Sequence, residues 1–259
     1  MVKTKTTEVP SISIPVDITF IVDATGSMGH FIQQAKTFLI NSMSEIESIS
    51  DILDIRYSLI LYRDHPPEDH TFASKILVKV SNVSDLKKGM NSIHFTASGG
   101  GDEPESGLDA IADISQLKLR NNSLRYAFLV GDAPLHGTNY QNTNIPCKCG
   151  LTSAKIRTVL EKENITLFAL SISGNRQCIL SFQDITQNVI STNTGTNEIT
   201  KSLQNVCTNA VWSVSKVLPV LRKDKYAPLT TIAELLEVSV AQISAAIESL
   251  NILGLTQNI

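Results

Sequence analysis

An aspartate, a threonine and a serine stand at alternate positions in the segment DATGSM, as Asp23, Thr25 and Ser27. The segment follows an apolar run and precedes a stretch with helical periodicity. Side chains two residues apart in an extended segment point the same way, and Gly26 lets the backbone bend so that the three can converge. Their carboxylate and hydroxyl oxygens are hard ligands, which suit Mg²⁺, with Mn²⁺ and Ca²⁺ as alternatives.

Two later segments offer further oxygen ligands. The glycine-rich segment SGGGDEPES contains Asp102 and Glu105, and the segment VGDAPLHG places Asp132 at the end of an apolar run. No histidine or cysteine belongs to this set, so zinc is not the expected ion.

Each of these segments also fits an ordinary structural role. Asp23 and Thr25 can cap a helix, Glu105 suits the positive amino end of a helix, and Asp132 before Ala-Pro can start a turn. The occurrence of all three segments at the expected ends of strands favours a shared metal site.

Apolar runs of strand length alternate with segments of helical periodicity along the chain. The expected strands lie at 17–23, 55–62, 75–80, 125–132 and 165–173, and the expected helices at 31–46, 108–115, 155–163 and 200–217. This alternation predicts an α/β fold, a Rossmann-like, doubly wound, mostly parallel sheet flanked by helices. Ligands of such sheets bind outside the carboxyl ends of the strands, where the three segments fall.

The motifs DITFIVDATGSM, SGGGDEPESGLDAI and FLVGDAP, in this order, resemble the von Willebrand factor A (vWA) family. GDEPESGLDAI is similar to the loop by which integrin β chains bring a glutamate to their metal. YRDHPPED and GDAPLHG resemble eukaryotic intracellular members, including A domains attached to atypical α-kinases. The resemblance covers about residues 15–217.

The resemblance implies a metal-ion-dependent adhesion site, abbreviated MIDAS. Thr96 or Ser98 is an alternative source of the hydroxyl from the second loop, and Asp102 matches a neighbouring-site ligand of integrin β chains. The acidic pair that completes that adjacent site is absent, since Gly29 and His30 follow Met28, so one metal ion is expected. The implied ligands are Asp23, Thr25, Ser27, Glu105 and Asp132.

The implied function is non-enzymatic binding of a partner protein, whose Asp or Glu completes the coordination of a MIDAS-bound Mg²⁺. A metal-dependent hydrolase is one alternative, because a metal beside carboxylates can activate water. Phosphotransferases with a nucleophilic aspartate need a second acid two positions later, however, and Thr25 stands there. A scaffold that uses the same surface without an ion is another alternative.

The last part of the chain predicts two short helices separated near Val238-Ser239, with Ser239 as the cap of the second. This pattern resembles a helix-turn-helix or winged-helix module, and a DNA-binding regulator is therefore a further alternative function. Residues 227–259 contain no Lys or Arg, however, so nucleic acid is not an expected partner.

The predicted divisions are a flexible N-terminus at 1–14, a vWA domain at 15–218, a linker at 219–228 and the helix-turn-helix-like segment at 229–259.

The composition limits the classes of protein to which the chain can belong. Hydrophobic residues make up 42% of the 259 residues and the net charge is −3, which favours a globular protein without general attraction to nucleic acid or anionic membranes. No segment is expected to be a secretory signal or a membrane span, so we expect an intracellular, cytoplasmic location. The pair Cys147 and Cys149 lacks the usual zinc spacing, and all four cysteines are expected to be free thiols.

Overall fold

The computed structural model describes residues 13–92, 94–141, 143–191 and 197–257. Almost all of the predicted flexible N-terminus, 1–14, lies outside the described residues. The described strands are β1 (Ile14–Asp23), β2 (Leu53–Tyr62), β3 (Ser74–Ser81), β4 (Leu124–Gly131), β5 (Ile165–Ser171) and β6 (Val189–Ser191).

These strands form one sheet in the order β3-β2-β1-β4-β5-β6. Only β3 runs antiparallel, against β2, and the other pairs are parallel. The central strand β1 is buried along nearly its whole length, as expected for a parallel strand covered on both faces. The α/β fold with a mostly parallel sheet is therefore confirmed.

The helices lie on both faces of the sheet. A short 3₁₀ helix, Gly26–His30, follows β1, a second, Asp113–Gln116, follows α3, and a π-helical turn, Ser213–Val217, continues α6. The α-helices are α1 (Ile32–Glu47), α2 (Val83–Met90), α3 (Gly107–Ala112), α4 (Ser153–Lys162), α5 (Arg176–Gln183), α6 (Asn197–Trp212), α7 (Leu218–Lys223), α8 (Leu229–Leu236) and α9 (Val240–Ile252).

Two hydrophobic cores result, one on each face. Phe20 of β1 points into the core that contains side chains of α1, α2 and α6, whereas Ile21 points into the core formed with α3, α4 and α5. This alternation of neighbouring residues between the two faces is the period of a strand. The sheet is thereby fixed in register, and so are the loops at its carboxyl edge.

The C-terminal helices pack on the first of these cores. Ile232 of α8 and Ile243 and Leu250 of α9 are buried in the same cluster as Phe20. Ser239 caps α9 and forms a capping box with Gln242, as the sequence predicts for the cap. Helix α7 occupies the first part of the predicted linker 219–228, and the division into domains stays a prediction.

Candidate metal centre

The loops that follow β1 and β4 lie side by side at the carboxyl edge of the sheet. The two strands are parallel neighbours, with Val22 of β1 opposite Val130 of β4. The chain proceeds from β1 to β2 on one side and continues from β4 to β5 on the other side. This change of direction opens the crevice in which doubly wound sheets bind their ligands.

Asp23 closes β1 with a fully buried carboxylate. Its Oδ1 accepts hydrogen bonds from the backbone N–H of Thr25 at 2.9 Å and from the Thr25 hydroxyl at 2.6 Å. The Thr25 Oγ1 lies 3.1 Å from the Oγ of Ser27. The three alternate residues of DATGSM therefore do converge, as their spacing predicts.

Asp132 meets this first loop from β4. Its Oδ1 accepts a hydrogen bond of 3.0 Å from the Ser27 hydroxyl. Ser27 is exposed and Asp132 is half-buried, whereas Asp23 and Thr25 lie beneath them in the interior. The open side of the group is thus formed by Ser27 and Asp132.

Glu105 approaches the same group from the loop before α3. Backbone hydrogen bonds fix its position: its N–H donates to the carbonyl of Pro134, and its carbonyl accepts from the N–H of His136, both at 2.9 Å. Gly100 packs between Glu105 and Thr25, because a Cβ built on it would lie 2.9 Å from Glu105 Oε1 and 3.1 Å from Thr25 Cβ. Glu105 and Thr25 are therefore close neighbours.

The donor set fits a divalent cation. Asp23 Oδ2 and Glu105 Oε2 are buried without a hydrogen-bond partner among the described residues, and buried carboxylate oxygens of this kind are costly unless an ion or donor meets them. Burial raises the pKa of Asp23 to about 7, with Asp132 adding to the rise. Burial and the charges of Asp23 and Asp64 raise the pKa of Glu105 to about 9, and burial also raises the pKa of Asp132. A hard cation bound among these carboxyl groups would stabilise their charged forms.

The three additional candidates lie differently. Thr96 and Ser98 are exposed in the loop that leads to Gly100; the Thr96 carbonyl accepts from Arg63 at 2.9 Å and the Ser98 N–H donates to Ala24 at 2.9 Å. Asp102 is exposed and its carboxylate groups with Asp64 and His136 rather than with the first loop. The Asp64 carboxylate and burial both raise the pKa of Asp102, burial being the larger cause.

Sequence reasoning missed the residues that follow β2. Arg63 is buried and its guanidinium donates to the Ala24 carbonyl at 3.0 Å as well as to Thr96, so it joins the loop after β1 to the loop before α3. Asp64 accepts from the Ser106 hydroxyl at 2.8 Å, next to Glu105. The sequence feature that indicates these residues is the Arg-Asp pair directly after an apolar strand, in YRDHPPED.

No model of a known protein family matches the chain. The α-protein kinase vwkA of Dictyostelium discoideum is 32% identical over 132 residues, which are 49% of this chain and 20% of that protein. The putative ariadne-like RING finger protein R811 of Acanthamoeba polyphaga mimivirus is 33% identical over 123 residues, 47% of this chain and 11% of that protein. The matches thus span a small part of each relative.

Solved structures share the architecture at low sequence identity. The pilus adhesin SpaC from Lactobacillus rhamnosus GG matches with a TM-score of 0.52 and 15% identity, over 76% of this chain and 30% of that one. Proximal thread matrix protein 1 from the mussel byssus, with a zinc-occupied MIDAS motif, matches with a TM-score of 0.51 and 14% identity, over 77% of this chain and 46% of that one. The chain has the vWA fold.

The vWA fold accounts for the position of the three loops, and the resemblance seen in the sequence is confirmed at the level of the fold. Metal binding by one structural neighbour concerns that neighbour, and the ligand set of this chain stays a prediction.

Among the described residues, no single helix has the length and apolar character to cross a membrane; the pair α8 and α9 meets those criteria only together, with a bend of 106° between the helices.

Proposed function

We propose that this vWA fold is a metal-dependent protein-interaction module. A Mg²⁺ ion, with Mn²⁺ or Ca²⁺ as alternatives, is held by Asp23, Thr25, Ser27, Glu105 and Asp132, and an Asp or Glu of a partner protein completes its coordination. The observation that carries the proposal is the convergence of these side chains from three loops around two buried carboxylate oxygens that have no hydrogen-bond partner in the described part of the chain.

The arrangement of charge supports this function. Thr25 and Ser27 supply neutral hydroxyls beside the acidic side chains, and when bound, the ion supplies the positive charge that a partner carboxylate needs. Asp23 and Glu105 are buried below, so a partner approaches from the side of Ser27 and Asp132. The carboxylate is thereby selected by charge, while the surrounding loops distinguish one partner from another.

The same geometry gives no support to catalysis. Thr25, two positions after Asp23, donates its hydroxyl hydrogen bond to that aspartate, and a second acid for phosphoryl transfer is missing from that position. The match to an α-kinase covers only a fifth of that protein, so kinase activity is not transferred to this chain. We therefore propose a non-enzymatic, intracellular binding module.

Selection from a displayed peptide library tests the proposal, first with Mg²⁺ and then with EDTA. We expect the peptides retained in Mg²⁺ to share an Asp or Glu, to be released by EDTA, and to fail to bind when that acid is replaced by its amide. The Asp132→Ala variant should fail to bind them. The matched control is Asp51→Ala, which changes an exposed aspartate just before β2, at the opposite edge of the sheet. Equal retention in Mg²⁺ and EDTA would favour a scaffold that needs no ion.

A further inference from the structure

Four side chains of metal-binding type meet beside the candidate metal centre but outside it. His65 comes from the loop between β2 and β3, Asp109 from the first turn of α3, and Cys147 and Cys149 from the long loop between β4 and α4. One ligand atom from each lies within 4.8 Å of all the others. None of the four belongs to the proposed Mg²⁺ site.

The distances between these atoms resemble the edges of a tetrahedron. His65 Nε2 lies 3.2 Å from Asp109 Oδ2, and Cys147 Sγ lies 3.5 Å from His65 Nε2 and 3.3 Å from Asp109 Oδ2. A tetrahedral zinc site with bonds of about 2.0 to 2.3 Å has edges of about 3.3 to 3.8 Å. Three of the four ligands therefore stand at the right separations.

The fourth ligand needs a small adjustment. Cys149 Sγ lies 2.7 Å from Cys147 Sγ. This separation is longer than a disulfide bond of about 2.05 Å and shorter than the edge between two zinc-bound sulfurs, about 3.8 Å. Cys149 is exposed, so its side chain has room to move outward by about 1 Å, the difference between these two separations.

The protein also fixes the backbone that carries these ligands. Gly150 adopts a φ of +73° in a turn closed by a hydrogen bond of 2.8 Å from its N–H to the Cys147 carbonyl. Lys148, between the two cysteines, donates to the Pro66 carbonyl at 2.7 Å and pairs with Glu68. The cysteine loop is therefore already docked on the loop that carries His65.

We propose that His65, Asp109, Cys147 and Cys149 bind a structural zinc ion. Thiolate and imidazole ligands select zinc over Mg²⁺, and four protein ligands close the coordination shell as in structural zinc sites. The ion joins the β4–α4 loop to α3 and to the loop after β2. Glu105 lies just before α3, so the site also stabilises the wall of the neighbouring Mg²⁺ centre. The spacing Cys-Lys-Cys gave no indication of this, because the other two ligands come from distant parts of the chain.

Metal analysis of the purified full chain tests the proposal, with zinc or cobalt as the probe. We expect about one zinc per chain after removal of loosely bound metal, and loss of that zinc in Cys149→Ser, whose exposed side chain can change without disturbing the core. Replacement by Co²⁺ should give the visible bands of a tetrahedral ion and a thiolate-to-cobalt charge-transfer band. Both should be absent from Cys149→Ser and from His65→Ala.

Matched variants separate this site from the others. Zinc content and the cobalt spectrum should be unchanged in Cys207→Ala, because Cys207 of α6 is buried in the core that contains Phe20. They should also be unchanged in His70→Ala, because His70 is an exposed histidine of the same loop as His65. Asp23→Ala should also leave them unchanged, because a thiolate band cannot arise from the oxygen ligands of the Mg²⁺ centre. Reduced protein that takes up neither metal would overturn the proposal. So would a cobalt spectrum without the thiolate band, or one that Cys149→Ser leaves intact.

Discussion

The hydroxyl of Ser27 donates a hydrogen bond of 3.0 Å to Oδ1 of Asp132, a residue 105 positions later in the chain. The bond joins the loop after β1 to the loop after β4. These two strands are neighbours in the sheet although β2 and β3 separate them in the sequence. The first and last motifs of the proposed Mg²⁺ site therefore form one surface.

Thermal unfolding should reveal the proposed ion directly. With Mg²⁺ in hundredfold excess over its dissociation constant, we expect stabilisation of about 3 kcal/mol relative to the same buffer without added divalent ion, because the ion binds only the folded chain. Asp23→Ala and Asp132→Ala should lose that difference, and Asp51→Ala should keep it. A melting temperature that no divalent ion raises would mean that DATGSM is only a capped turn.

Protonation should stabilise the metal-free protein. The pKa of Asp23 is about 7 in the folded chain and about 4 in an unfolded one, so the folded state binds the proton more tightly. The resulting stability is fully present below pH about 4 and is lost as the pH rises to about 7 and beyond. Unfolding in denaturant at several pH values, without divalent ions, measures this loss.

The variant Asp23→Asn isolates the effect. Its carboxamide carries no charge, so its free energy of unfolding should fall less steeply than that of the wild type as the pH rises from about 4 to about 7. Saturating Mg²⁺ should also reduce the loss in the wild type, because the ion compensates the buried charges. Identical pH profiles for wild type and Asp23→Asn would contradict the raised pKa of the buried Asp23 carboxyl.

Gly99 should tolerate no side chain. Its φ is +75°, and a Cβ would lie 1.7 Å from Oδ2 of the buried Asp69. Gly99→Ala should therefore cost about 2 kcal/mol or more in the free energy of unfolding, from backbone strain together with the clash.

Gly29→Ala is the matched control for Gly99→Ala. Apart from its chain neighbours and the backbone of its own helix, no described atom lies within 4 Å of a Cβ built on Gly29, which belongs to the short helix after β1. Its unfolding free energy should change by less than about 0.5 kcal/mol. If both alanine variants unfold like the wild type, the loop before α3 does not have the described conformation.

The C-terminal helices should unfold together with the sheet. Leu250 of α9 is fully buried in the core shared with β1, so Leu250→Ala should cost about 2 to 5 kcal/mol. Leu235 of α8 is 66% exposed, and Leu235→Ala should change stability little. Calorimetry should show one transition in both variants. A separate low-temperature transition for Leu250→Ala would show that residues 229–259 form an independent unit.

Short elements escaped prediction from the sequence. Strand β6 has only three residues, too few for alternation to show, and α2 and α5 bury only two and three side chains, so their apolar pattern is weak. The four longer parallel strands are predictable because several consecutive apolar residues are needed to bury both faces of a parallel sheet, whereas β3 is a partly buried antiparallel edge strand.

The sequence by itself determined the first loop of the candidate site. Asp23, Thr25 and Ser27 are close in the chain, and alternation along an extended segment is enough to bring their side chains together. The motif order of the later segments also indicated which loops of the fold would carry Glu105 and Asp132.

Tertiary structure alone decided which distant residues meet. Asp102 groups with Asp64 and His136, and Cys147 and Cys149 meet His65 and Asp109, because the order of the strands and the backbone hydrogen bonds of their loops set these distances. Local periodicity carries no information about a contact between residues forty or eighty positions apart. Such contacts follow from how the helices and strands pack, and packing depends on the whole chain.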